Sequence, residues 1–279
     1  MKRWWIIIAL LAAALVLGWA QTNWPEPLRV TFFDIGQGDA ALIRTPAHQN
    51  ILIDGGPDSS VMAKLGRALP WTDHTIDLVV LSHPHADHVA GLVPVLQHYR
   101  VRHVLIAGVL HTTPDYIEFL KLIKEKHIPV TIAQAGQTIN LNGGVALDVL
   151  WPTVSYETKT VSEIHITCVV IKLRFGSARA LFTGDLPLEE ERALAATGVD
   201  LKAQILKVGH HGSRTSSSEE FIRAVAPEAA IIPVGRRNHY GLPDEDVLAR
   251  LSRLVPHVYR TDESGDVSFV SDGTTWHKK

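Results

Sequence analysis

Seven residues, Ser82-His83-Pro84-His85-Ala86-Asp87-His88, constrain this chain more than any other stretch. They follow the aliphatic run Leu78–Leu81, whose continuous apolar character marks a strand buried on both faces. Three imidazoles and a carboxylate within six residues are hard to explain as packing. Protonated, the imidazoles repel one another; unpaired and desolvated, they are costly. Divalent metal ions relieve both problems, because neutral imidazole and carboxylate are their N/O ligands. The fold must therefore end a buried strand at a cleft and bring further ligands to it.

Composition narrows the setting. The 279 residues suit one large domain or two small ones. The formal net charge of −2 leaves no global electrostatic footprint for nucleic acid. The single cysteine, Cys168, excludes an intramolecular disulfide framework and a Cys-rich zinc site; its apolar neighbours mark it as a small buried hydrophobe. Residues 1–24 form a separate module. Lys2-Arg3 precede the apolar run Trp4–Trp19, and Gly18-Trp19-Ala20 offers small residues for cleavage after Ala20. This reads as a signal peptide or an uncleaved membrane anchor, with the body outside the cytoplasm, secreted or held on the outer face of the membrane.

From residue 28 to 275, strand and helix signals alternate in two similar halves. Leu28–Phe33, Ala40–Arg44, Asn50–Ile53, Leu78–Leu81 and Val104–Ala107 read as strands of the first. Helices are expected over Ser60–Leu69, Val89–His98 and Pro114–Lys126. The second half has strands over Thr167–Arg174, Ala180–Thr183, Gln204–Val208, Ala229–Val234, Val258–Arg260 and Asp266–Val270. Its helices are expected over Leu188–Ala196, Ser218–Val225 and Asp244–Leu254. The pattern predicts an α/β fold of two sheets face to face with helices outside.

The spacing assigns the chemistry. Alternate residues of an extended segment face the same way, so His83 and His85 address one metal ion. Asp87 and His88, at the turn into the next helix, reach a second beside it, and Gly91 permits close backbone approach. Ions roughly 3.5–4 Å apart share and activate a hydroxide. Four residues do not complete two shells. Asp185, in the Gly-Asp turn after Leu181–Thr183, is expected to bridge the ions. His210 and His211 end the Gln204–Val208 strand; His210, nearer the strand, is the favoured ligand to the second ion. His165 precedes a strand and is a candidate last ligand to the first, with an exposed strand-edge histidine as the alternative. Asp39 and Asp54, in Gly-rich turns, are candidates to orient the ligand histidines or simply to form turns. Ser213 is a candidate phosphate contact, while Ser217 or Ser218 fits a helix cap. Arg214, Arg236 and Arg237 form a possible phosphate clamp or a solvated surface.

Taken together, H-P-H-A-D-H at 83–88, Asp185 and His210 resemble the metallo-β-lactamase superfamily. Phe33–Ala40, Leu52–Gly56, Leu81–Gly91, Leu181–Leu186 and Leu206–Ser213 resemble more narrowly the hydrolase domain of ComEC-type competence proteins, a likeness running from about Leu28 to Gly273. It implies a four-layer αββα sandwich with the metal centre at one edge, and hydrolysis of a phosphodiester, DNA above all. The chain departs from that pattern twice. His165 stands roughly where the family carries Asn and Ser, and Leu242 in Asn238-His239-Tyr240-Gly241-Leu242-Pro243 replaces a histidine for which His239 is a candidate substitute. Without the many membrane spans of a ComEC channel, the chain reads as a free-standing hydrolase domain with its own export segment.

The expected reagent is a hydroxide activated by two divalent ions, zinc first and manganese or iron as alternatives, with Asp87, His88 and Asp185 at the catalytic centre. The expected substrate is DNA or another phosphodiester; the membrane is a partner if the N-terminal segment is retained, and no obligate protein partner is readable. The alternatives are hydrolysis of another ester, lactone, β-lactam or phosphocholine substrate on the same centre, and a non-catalytic metal-binding module.

Overall fold

The computed structural model describes residues 4–5, 7–8, 10–13 and 26–279. Most of the expected signal peptide or membrane anchor at residues 1–24 lies outside the described residues; those described there are helical and exposed. Among the described residues no helix is long and apolar enough to cross a membrane.

The central strands carry apolar side chains on both faces, so each must be covered twice. The first half runs β1 (Leu28–Phe32), β2 (Ala41–Arg44), β3 (Asn50–Ile53), α1 (Ser60–Ala68), β4 (Thr75–Ile76), β5 (Leu78–Val80), α2 (Ala86–Val89), α3 (Leu92–His98), β6 (Arg100–Val101), β7 (Val104–Ile106), α4 (Pro114–Glu125) and β8 (Val130–Ile132). The second runs β9 (Thr138–Asn140), β10 (Val145–Trp151), β11 (Val170–Phe175), β12 (Ala178–Phe182), α5 (Leu188–Ala196), β13 (Ile205–Lys207), α6 (Glu219–Val225), β14 (Ala229–Ile232), α7 (Glu245–Leu254), β15 (His257–Arg260), α8 (Thr261–Ser264), β16 (Val267–Ser271) and β17 (Trp276–Lys278).

Two sheets result, ordered β17-β16-β1-β2-β3-β5-β7-β8 and β15-β14-β13-β12-β11-β10-β9, with β4 and β6 as a small separate pair. Alternate residues divide each strand between two cores. Ile51, Ile53, Leu78 and Val80 face the second sheet, where Phe32 stacks on Phe182 at 5.6 Å between centroids. Leu52, Val79 and Leu81 face outward onto Leu65 of α1, Val95 of α3 and Phe119 of α4. On the other side Leu181 and Leu206 pack on Leu194 of α5 and Phe221 of α6, and Ala230 and Ile232 on Val247 and Leu251 of α7. The layers are helix, sheet, sheet, helix, as in the expected αββα sandwich.

Three elements differ from the sequence reading. The helix after the histidine cluster starts at Ala86 rather than Val89 and breaks at Ala90-Gly91, so Asp87 and His88 are helical. A 3₁₀ turn, Ile164–Thr167, precedes β11, which starts only at Val170. The closing strands β16 and β17 return to the first sheet beside β1, which no local pattern could indicate. In the parallel regions β3-β5 and β12-β13-β14 the carboxyl ends of the strands open on one edge, where ligands collect in open α/β sheets.

Candidate metal centre

Most donors at this edge follow closely on a strand end. Ser82, just beyond β5, donates its backbone N–H to Asp54 Oδ1 at 2.7 Å, which joins the ends of β3 and β5. His83 and His85 follow in the bend before α2, and their facing nitrogens, Nε2 and Nδ1, lie 3.1 Å apart. Asp87 and His88 sit in α2, held against the β3 turn by Gly91, where an added Cβ would lie 1.9 Å from Gly55 O. Asp185 follows β12 through Gly184, whose φ of +53° and contact with Ser82 leave no room for a side chain. His165 comes from the 3₁₀ turn, its Nδ1 bound to the Glu163 carboxylate, which aims the other ring nitrogen at the cleft.

The donors form two adjoining clusters. His83, His85 and His165 converge in one, and His165, Asp185 and His210 extend it. Asp87, His88, Asp185 and His211 make the second. It is His211, not the His210 that the sequence reading favoured, that the structure gathers with Asp87, His88 and Asp185. Both residues adopt left-handed backbone, with φ of 47° and 53°. This turns their side chains to different sides: His210 lies 4.6 Å ring to ring from His165, while His211 Nε2 lies 3.2 Å from Asp87 Oδ2 and 3.6 Å from Asp185 Oδ2. Being nearer the strand end is irrelevant once the backbone reverses hand.

The donors fit metal ions on two counts. Two nitrogens bound 2.0–2.1 Å from one tetrahedral ion lie about 3.3 Å apart. The contacts here are of that length: 3.1 Å for His83 to His85, 3.4 Å for His88 to Asp185, 3.7 Å for His88 to Asp87, and the two made by His211. Moreover, His88 Nε2 is buried with no hydrogen-bond partner, a costly orphan unless a cation takes it.

The electrostatics divide the two clusters. Burial, reinforced by the neighbouring His88 imidazole, holds His83 well below the usual histidine range, and burial with His165 brings His85 to about 4. Both are neutral, as ligation requires. Burial pushes the Asp185 carboxyl up, but His88, His211 and Lys207 outweigh it and keep it well below its ordinary value. Burial would lower His88 and His211, yet the surrounding carboxylates raise both, His211 to about 10. Asp39, Asp54, Asp87 and Asp185 thus place strong negative potential here, and Lys207 is the ammonium that partly offsets it. The Lys207 Nζ pairs with Asp39, lies 3.4 Å from Asp185 and donates to Gly184 O at 2.8 Å.

The remaining candidates divide. Asp54 Oδ2 accepts from His88 Nδ1 at 2.9 Å, and Asp39 Oδ1 lies 3.3 Å from His211 Nδ1, which also faces Pro233 O at 2.9 Å. Both are therefore placed to fix ring orientation. Ser213 bonds Thr215, not the centre, and Ser218 caps α6. Asn238 braces its own loop, and His239 is exposed without lining the cleft, so it does not take the place of the histidine that Leu242 replaces. Arg214 turns to Asp244 and Arg236 to Asp262 O, so neither forms the suggested clamp. Lys207, which from its place in the strand before the histidine pair reads as structural, and Glu163, foreshadowed only by its position two residues before His165, are supporting groups. The cleft has a volume of about 290 Å³, and His85, Asp87, His165, Asp185, His210 and His211 form its floor. A larger groove of about 580 Å³ beside Lys172 and Asp200 gathers no such donors.

The profile of the metallo-beta-lactamase superfamily matches residues 33–236. ComE operon protein 3 of Bacillus subtilis (strain 168) is 28% identical over 263 residues, covering 86% of this chain and 32% of that protein. Competence protein ComA of Neisseria gonorrhoeae is 31% identical over 242 residues, with the same coverage. The chain therefore spans about a third of the length of these curated relatives. Among solved structures, the metallo-beta-lactamase fold protein YhfI from Bacillus subtilis superposes with a TM-score of 0.55 at 17% identity, over 84% of this chain and 97% of that one. Fold, donor clusters and relatives converge: the chain belongs to the metallo-β-lactamase superfamily and resembles the hydrolase domain of ComEC-type competence proteins.

Proposed function

We propose that the chain is a metal-dependent phosphodiesterase that cleaves DNA. The observation that carries this reading is the pair of donor clusters sharing Asp185 at the floor of an open cleft, in a chain whose relatives are competence proteins. His83, His85, His165 and His210 would hold one ion, Asp87, His88 and His211 the other, with Asp185 facing both. Divalent ions held by these residues would supply an ionised water as nucleophile and would offset charge on the phosphoryl oxygens. The all-N/O donor set suits zinc and also admits manganese or iron. Asp54 keeps the His88 proton on Nδ1, leaving Nε2 as a donor, and Glu163 does the same for His165. Lys207, buried behind Asp39 and Asp185, keeps those carboxylates ionised and in place.

The test is turnover of single-stranded DNA and of bis-p-nitrophenyl phosphate by the purified chain with Zn²⁺ or Mn²⁺. Chelator should abolish it, and Asp87→Ala should abolish it without loss of circular-dichroism signal. No turnover with either metal overturns the reading. We further propose that the domain acts outside the cytoplasm, a location supported by Lys2-Arg3 ahead of the apolar run Trp4–Trp19. Cleavage of the domain by protease added to spheroplasts is the expected result; full protection overturns that location.

A further inference from the structure

One wall of the cleft carries a group the hydrolytic chemistry does not use. Tyr240 lines it with Gln37 and Leu242, and is 75% exposed. Its loop is nonetheless tightly held. The Asn238 side chain donates to Gly235 O at 3.0 Å and Leu242 O at 2.7 Å, and accepts from the backbone N–H of Tyr240 at 3.2 Å and of Leu242 at 3.0 Å. At one end Gly235 presses on the Gly36-Gln37 turn, where an added Cβ would lie 2.6 Å from Gln37 N, and it donates to Gln37 Oε1 at 3.1 Å. At the other, Asp244 N donates to Gly212 O at 2.9 Å, one residue after His211. Both ends of the loop are thus tied to segments that build the metal centre. The backbone is preset and the ring is bare, which lowers the ordering cost of binding a flat partner.

With metal ions held by its donors the floor of the cleft would attract a phosphoryl group, and Tyr240 adds an exposed aromatic ring at its wall. A nucleotide carries both. An internal duplex base has both faces covered by its neighbours, so along a strand the ring is open to an unpaired base rather than a paired one. We propose that Tyr240 is a stacking platform for an unpaired nucleobase beside the scissile phosphodiester, which makes single-stranded nucleic acid the substrate class. The inference rests on the phosphodiesterase reading but is tested by binding.

The experiment uses the zinc-loaded full chain and three fluorescein-labelled phosphorothioate probes that resist turnover: a twelve-residue oligothymidylate, an abasic strand of equal charge and a duplex. Anisotropy gives each Kd. The oligothymidylate should bind about 5- to 150-fold more tightly than the abasic strand, the span that one stacked base confers. Tyr240→Ala should bring that ratio close to one, Tyr240→Phe should keep it, and abasic binding should be the same in all three proteins. A wild-type ratio near one, an undiminished ratio in Tyr240→Ala, duplex binding as tight as single-strand binding, or no measurable binding of any probe overturns the inference. Loss of bis-p-nitrophenyl phosphate turnover with the ratio intact would instead overturn only the phosphodiesterase reading.

Discussion

Replacing one oxygen of Asp54 by an amide nitrogen probes the whole arrangement with little change of shape. Asp54 is buried and accepts two bonds, from His88 Nδ1 at 2.9 Å and from Ser82 N at 2.7 Å. In Asp54→Asn only one of these can be kept. If the amide oxygen stays on Ser82, the NH₂ faces His88 Nδ1 and donates to it. The imidazole proton then moves to Nε2, the atom 3.4 Å from Asp185 and 3.7 Å from Asp87, and a metal must displace it to bind. If the amide flips, its NH₂ confronts the Ser82 N–H in a buried site, at about 1–3 kcal/mol. Either way, loss of a carboxylate behind a ligand histidine weakens metal binding about 10- to 100-fold, or ~1.4–2.7 kcal/mol. Only the cluster of Asp87, His88, Asp185 and His211 should be affected. Zinc titration against a chromophoric chelator resolves the two equivalents. The expected result is one equivalent weakened by that factor, the other, on the His83–His85–His165 side, within about threefold, and kcat on bis-p-nitrophenyl phosphate reduced in parallel. Two wild-type affinities in the variant would refute the placement of Asp54 behind a metal ligand.

Three further outcomes are expected. His211→Ala should abolish the second zinc equivalent in the same titration, losing more than the roughly 100-fold that a supporting group costs, while His210→Ala should leave that equivalent in place; the reverse order would restore the assignment suggested by distance from the strand end. Gly91→Ala sets a methyl against the carbonyl oxygens of Gly55 and Asp58, at 1.9 and 2.6 Å, so α2 must shift. A loss of about 1–3 kcal/mol in urea unfolding and weaker zinc binding should follow, whereas an unchanged melting temperature would count against the close packing of this turn. Burial holds the Tyr116 hydroxyl, which donates to Val109 O at 3.0 Å, at about 12 rather than 10.0. Its folded-state value is raised, so its contribution is complete below pH 10 and fades as pH rises through about 12. Tyr116→Phe should cost about 0.5–1.5 kcal/mol near pH 8, a gap that shrinks by about 1.4 kcal/mol at about pH 11. A gap that widens with pH would contradict the sign.

Much of the architecture is legible in the chain because it rests on local periodicity. Ile51 to Ile53 and Leu78 to Leu81 announce strands with two apolar faces, and Tyr116, Phe119, Leu122 and Ile123 mark the buried stripe of α4. The register of β16 against β1 is not legible, because it pairs Leu28 with Ser271 across nearly the whole sequence.

The centre divides along the same line. Composition and spacing alone determine that His83, His85, Asp87 and His88 gather at the end of a buried strand, since they are within reach of one another through six residues of chain. They also point to metal ions as the groups these side chains would hold, because neutral imidazole and carboxylate are N/O ligands whose desolvation a cation offsets. Only the tertiary structure decides which of His210 and His211 meets Asp87, through two left-handed residues whose backbone angles the sequence does not spell out. It alone decides that Lys207 offsets the Asp39 and Asp185 carboxylates, and that the loop braced by Asn238 sets Tyr240 in the lining of the cleft. These groups come from separate strand ends of two sheets, and only packing the sheets face to face sets which donors share an ion.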